Sequence, residues 1–126
     1  MDALRKALGA LSLAYALIFF GAALVHAGLP IGPLDEPPIG PAVVVEILCG
    51  AGLLAGGYGA LSPRRWAWDG LIYTHAGALA GVLLGILALA LGPGQATATT
   101  AWFHDTMAIL LAAGLAGAFY VSRVRR

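Results

Sequence analysis

The sequence predicts an all-α integral membrane protein, a four-transmembrane-helix up-down bundle forming one domain over residues 1–126 with both termini cytoplasmic. Three observations predict it. Apolar residues make up 60% of the chain and charged residues 10%, with a mean hydropathy of +0.89. A soluble domain averages about 45–50% apolar and about 25% charged, so this composition cannot cover a water-facing surface. Four separate runs reach the ~20 apolar residues that a membrane-crossing helix needs. Every Lys and Arg falls at one end of those runs and none at the other.

The first run is ALGALSLAYALIFFGAALVHA, about residues 7–27. Arg5-Lys6 before it and Val25-His26-Ala27 at its end are similar to a secretory signal with a small-residue cleavage site. The run exceeds the ~7–15-residue core of such signals, so it is read as a retained span. The second, PAVVVEILCGAGLLAGGYGAL, covers about 41–61. The third, WDGLIYTHAGALAGVLLGILALAL, covers about 68–91, and the fourth, AWFHDTMAILLAAGLAGAFYVS, about 101–122. In lipid each backbone polar group must be satisfied within its own segment, so each run is expected to be helical. The connections carry breakers: Pro30, Pro33, Pro37, Pro38 and Pro41, then Pro63, then Gly92-Pro93-Gly94.

The basic residues are Arg5, Lys6, Arg64, Arg65, Arg123, Arg125 and Arg126. The positive-inside rule places both termini and the second loop in the cytoplasm. The expected location is the plasma membrane, multi-pass, with loops 28–40 and 93–100 extracytoplasmic. Trp66, Trp68, Trp102 and Tyr120 lie near span ends, as an aromatic belt requires. The basic residues form no patch beyond the short loops and termini, which excludes nucleic acid as a partner. Cys49 stands alone, which excludes an internal disulfide and any CxxC motif.

Small residues let helices approach in lipid, where no hydrophobic force acts between them. The third span carries Gly77, Gly81 and Gly85, the second Gly52 and Gly56, and the fourth Ala113 and Gly117, each at four-residue spacing. Packing within the bundle is the first reading. Self-association through Gly77, Gly81 and Gly85, or contact with other membrane subunits, is the second, beside the surrounding membrane lipid.

Four ionisable groups fall in or at the outer ends of the spans: His26, Glu46, His104 and Asp105. On a helical wheel Tyr15, Phe19, Ala22 and His26 form one stripe, and Glu46, Cys49, Gly50, Leu53 and Gly57 another. Ionisable residues inside a membrane usually face the bundle interior, pair with each other and mark function. Glu46 is therefore expected to hydrogen-bond His26 or His104. Three functional versions stand open: a transition metal on His26, Glu46 and His104, a b-type haem on two His, or a quinone contacted by a Glu–His pair. The structural alternative is that Glu46 ties two helices together. His75 lies in the inner half of the third span, away from this cluster; it either hydrogen-bonds a neighbouring helix or lines a second, inner cofactor site. Cys49 reads as a packing residue, and Asp35-Glu36 as solvated loop charges.

The second span, "VVVEILCGAGLLAGGYGALSPRRWAW", resembles that of DoxX-like proteins, a group that includes MauE-type membrane proteins. Their pattern is a Glu in an apolar span, a Gly-rich run and a basic turn; Glu46, Gly50, Gly56, Gly57 and Arg65 hold those places here. The second half is similar to uncharacterised actinobacterial membrane proteins with a His in the third span and a His before the fourth, matched by His75 and His104. The resemblance implies a small accessory protein of the bacterial inner membrane, tied to redox chemistry within a complex. Members with CxxC thiols work in thiol redox, which the single cysteine here argues against.

The expected function is thus an accessory subunit of a redox or respiratory membrane complex. The alternative is a small proton-coupled transporter or channel component using Glu46 and His75. No nucleophile–base pair, phosphate loop or paired catalytic carboxylates can be assembled, so no independent catalytic activity is expected.

Overall fold

The computed structural model describes residues 2–62, 64–92 and 96–124. Pro63, Pro93 and Gly94, expected as breakers, and Arg125 and Arg126, counted among the basic residues, lie outside the described residues. Within them the chain forms helices α1 (Asp2–His26), α2 (Gly40–Leu61), α3 (Ala67–Leu91) and α4 (Ala98–Val124). All four are long and apolar enough to cross a membrane.

Two helices extend past their apolar runs. Helix α1 begins before Ala7 because Asp2 pairs with Arg5 and with Lys6 at 3.2 Å, the spacing at which helical side chains meet. Arg5 also donates to the carbonyls of Ala60 and Ser62. Helix α4 begins before Ala101 because Thr97 and Thr100 cap it. Each Oγ1 accepts the other's backbone N–H, both at 3.1 Å, satisfying two of the donors that a helix start leaves open.

The first loop is closed tightly. Gly28, at φ +90°, reverses the chain after α1. The Gly28 N–H bonds Val25 O at 2.9 Å and the Leu29 N–H bonds Leu24 O at 3.0 Å, the paired bonds of a Schellman ending. A short bridge joins Ile31 and Leu34, and the Ile39 N–H returns to His26 O at 2.9 Å. Pro41 then occupies the first turn of α2, where its missing N–H costs nothing.

Glycines set the distances between helices. Gly9 of α1 faces Gly57 of α2: a Cβ on Gly57 would stand 2.9 Å from Gly9 O and 2.7 Å from Leu13 Cδ2. Further along, Ser12 Oγ donates to Leu53 O at 2.8 Å. Between α2 and α3, Gly56 lies under Thr74, and a Cβ on Gly81 would stand 2.7 Å from Cys49 Sγ. Between α3 and α4, Gly85 lies against His104, and Gly114 against His75. Gly81 and Gly85 are therefore used within the chain, while Gly52 and Gly77 have nothing within 4 Å. On α4 the packed small pair is Gly114 and Ala118, one position away from the expected Ala113 and Gly117; Ala113 is exposed and Gly117 meets nothing within 4 Å.

The core has two layers. One gathers Tyr15, Phe19, Leu53, Val82, Met107 and Leu111; the other gathers Leu8, Ala60, Leu71 and Ala118. The outer surface is also apolar: Leu17, Leu48 and Ile109 are 72%, 67% and 71% exposed. Large apolar patches of that kind are not tolerated in water and are what a lipid-facing surface requires.

Gly57→Val is expected to destabilise the chain by about 1–3 kcal/mol, the cost of overpacking a tight contact. Gly77→Ala, facing open space, is expected to be neutral or slightly stabilising, since Ala favours helix over Gly by up to ~1 kcal/mol. Unfolding of both variants in mixed micelles, followed by circular dichroism against detergent composition, checks this.

Candidate functional site

Glu46 lies about 9 Å along α2 from its start, at 1.5 Å per residue. His26 occupies the last turn of α1, where the Schellman closure and the Ile39–His26 bond fix the backbone. These two placements bring the side chains together: His26 Nδ1 stands 2.8 Å from Glu46 Oε1. Each residue is 5% exposed. His26, not His104, is therefore the hydrogen-bond partner of Glu46. The pair satisfies one carboxyl oxygen only, and Glu46 Oε2 is buried without a hydrogen-bond partner.

Glu46 forms part of the wall of a cavity of about 270 Å³. Its walls are mostly apolar, with Phe19, Val45, Val82 and Phe103 among them, and its ionisable groups are His26, Glu46 and His104. His104 Nδ1–H donates to Thr100 O of its own helix at 2.7 Å. A carbonyl can only accept, so Nδ1 carries a hydrogen, and in the neutral ring Nε2 is the acceptor. Gly85 makes room for the ring, because any side chain there would strike His104. Aromatic edges pack it further: Phe103 meets His104 and Phe19 in edge-to-face contacts at 5.4 and 6.1 Å between centroids.

A smaller cavity of about 70 Å³ lies beside the first. It is bounded by Leu34 and Glu36 of the loop and by Ala22, Val25 and Thr99. His26, Thr100 and Phe103 line both spaces. Glu36, expected as a solvated loop charge, is instead half-buried and accepts a hydrogen bond from Thr97 Oγ1 at 2.9 Å. Thr97-x-x-Thr100 was the available signal for this anchor, but its polar residues fall outside the apolar run. Asp105 is exposed and lines neither cavity.

The three ligand versions fare differently against this geometry. Among the described residues no three of His, Cys, Asp and Glu stand together as a metal site needs, so His26, Glu46 and His104 share a cavity without converging on a point. A cavity of 150 Å³ holds one benzene, so a macrocycle of several rings exceeds about 270 Å³. One substituted ring fits. The polar part of the wall comes from His26, Glu46, Thr100 and His104, which suits a ring bearing hydroxyl groups; Glu46 Oε2 itself lies closed off behind that wall.

His75 stands apart, as expected, and is fully buried. Its Nδ1–H donates to Leu71 O of the same helix at 2.8 Å, not to a neighbouring helix. Its Nε2 has no partner. The ring lies against Gly114 and edge-on to Tyr15 at 6.2 Å. None of the three cavities described has His75 in its wall.

Comparison with protein-family models, curated proteins and solved structures finds no match to this chain.

Replacing His26 with Ala leaves both oxygens of a buried carboxyl group unpaired, which is expected to cost about 1–3 kcal/mol. The double variant His26→Ala/Glu46→Ala is expected to lose less than the sum of the two single changes, because it strands no polar partner. Unfolding titrations of the four proteins in micelles measure this coupling; strict additivity would show that the pair does not hold the helices together.

Proposed function

We propose that this chain is a small multi-pass subunit of a plasma-membrane redox complex, a DoxX-like accessory protein whose outer cluster binds the ring of a quinol. The observation that carries the reading is the buried, half-satisfied carboxyl group of Glu46 in the wall of an otherwise apolar, ring-sized cavity. Buried polar groups without partners are rare and call for an explanation. A hydroxyl donor entering this cavity supplies one once the Glu46 side chain turns Oε2 toward it.

The chemistry is suited to a ligand that gains and loses protons. As a carboxylate, Glu46 accepts from a quinol hydroxyl; protonated, it donates to a quinone carbonyl. His26, donating from Nδ1–H to the other oxygen, holds the carboxyl group in either state, because that oxygen accepts in both. Electrons have to come from or go to a redox centre in a partner, which is why the role is that of an accessory subunit.

The bundle is read as up-down, with the termini and the Arg64–Arg65 turn cytoplasmic and the cluster on the outer side. Three contacts support one common end for the basic residues. Arg5 reaches Ala60 and Ser62, Ala118 packs with Leu8 and Leu71, and Trp66 covers Gly59 and Gly70 at the turn between α2 and α3. Glu36 and Thr97 meet at the opposite end.

Titrating the purified chain with a tailless substituted hydroquinone is expected to give saturable binding and a raised melting temperature. Ligand at a hundred times Kd stabilises by about 2.7 kcal/mol. Glu46→Gln is expected to weaken binding at least tenfold, since an amide offers one acceptor fewer than a carboxylate. No saturable binding up to the solubility limit would remove the reading.

A further inference from the structure

We infer that the ligand is resident in the membrane: its ring occupies the cavity and its hydrocarbon tail leaves sideways into the bilayer, through a mouth between α2 and α3. The inference rests on the quinol-ring reading above and adds where the ligand comes from and what its second half is.

Exposure locates the mouth. Among the residues that line the larger cavity, the exposed ones are Pro41 at the start of α2 and Leu84 and Ala88 in the last turns of α3. Those contributed by α1 and α4 (Phe19, His26, Thr100, Phe103 and His104) are buried or half-buried. The opening therefore faces outward between α2 and α3, where the apolar side chains of both helices meet lipid.

The edges of the mouth are fixed. Below it the two helices are clamped, because a Cβ on Gly81 would stand 2.7 Å from Cys49 Sγ and 3.2 Å from Val45 Cγ1. Above it the loop is tied down at two points: the Ile39 N–H on His26 O at 2.9 Å, and Glu36 on Thr97 Oγ1 at 2.9 Å. A ligand from the aqueous side meets this strapped loop. One from the bilayer meets Pro41, Leu84 and Ala88, an apolar rim with no charge to shed.

Depth and size agree. Leu84 lies about 10 Å along α3 from its end at Leu91, within the hydrocarbon of one leaflet, which is about 15 Å thick. A cavity of about 270 Å³ accepts one substituted ring and has no room for a long chain beside it. The tail must stay outside, and the mouth opens where an acyl-like chain is at home.

Ala88 is exposed on the lipid side, so Ala88→Trp narrows the rim without crowding the core. Binding of a tailless hydroquinone and of the same ring carrying a decyl tail is measured for both proteins in nanodiscs. The ratio of tailed to tailless affinity is expected to fall at least tenfold in the variant. An unchanged ratio, with the tailless ring still binding, overturns the lateral mouth and leaves the ring site standing. Failure of the tailless ring to bind the unaltered protein removes the ring site and this inference together. A second readout needs no variant: a diazirine at the third tail carbon is expected to label residues 84–91 of α3. Label on α1 or α4 instead overturns the proposal.

Discussion

A carboxyl group at position 46 sits buried in a helix long and apolar enough to cross a membrane, and something local must offset that placement. Inserting an acidic residue near the centre of such a helix costs about 2.5–3.5 kcal/mol, less toward the interface. Much of this end of the bundle is organised around this one residue. The Schellman ending at Gly28 stops α1 so that His26 faces α2. Ile39 returns to the His26 carbonyl and starts α2 at the height that brings Glu46 level with the imidazole. The resulting bond ties α1 to α2 and leaves one oxygen over. That oxygen is buried without a hydrogen-bond partner.

The cavity itself follows from unequal spacing between helices. Gly9 and Gly57 bring α1 and α2 into backbone contact, and Gly81 brings α3 against Cys49. Toward the Glu46 end the small residue Gly85 is used differently: it seats the His104 ring rather than another helix. An imidazole and the Phe103 ring hold α4 off, and the space beside them is not filled by any other side chain. Interiors of well-packed proteins contain few voids larger than a water molecule, so a cavity of about 270 Å³ with three ionisable groups in its wall departs from ordinary packing. His75 lies against Gly114 and edge-on to Tyr15, and Leu8, Ala60, Leu71 and Ala118 form the other packed layer.

Much of this was legible in the sequence because membrane physics leaves few choices. Backbone satisfaction forces helices, and apolar length gave their positions to within a few residues; the errors at Asp2 and Ala98 arise where polar residues prolong a helix through ion pairs and a threonine cap. The stripe Glu46, Cys49, Gly50, Leu53 and Gly57 is buried throughout, since wheel geometry alone decides it. Choosing between His26 and His104 as the partner of Glu46 was beyond the sequence, because the answer depends on rotamer. His104 sits four residues after Thr100, whose carbonyl is within reach and captures its Nδ1–H. The same local capture turns His75 onto Leu71. Four-residue spacing of small side chains could not tell Gly114/Ala118 from Ala113/Gly117, since one residue's rotation separates a core face from a lipid face. The Glu36–Thr97 contact joins two loops far apart in sequence and had no periodic signal.

The claim on which the account stands is that His26 and Glu46 share a buried hydrogen bond. Nitrogen-15 spectra of the imidazole side chains, recorded in bilayers for the unaltered chain and for Glu46→Gln, test it most directly. The account predicts that the Nδ1 resonance assigned to His26 moves, while those of His75 and His104, held by backbone carbonyls, stay where they are. A stationary His26 resonance, or a shift confined to His104, would contradict it.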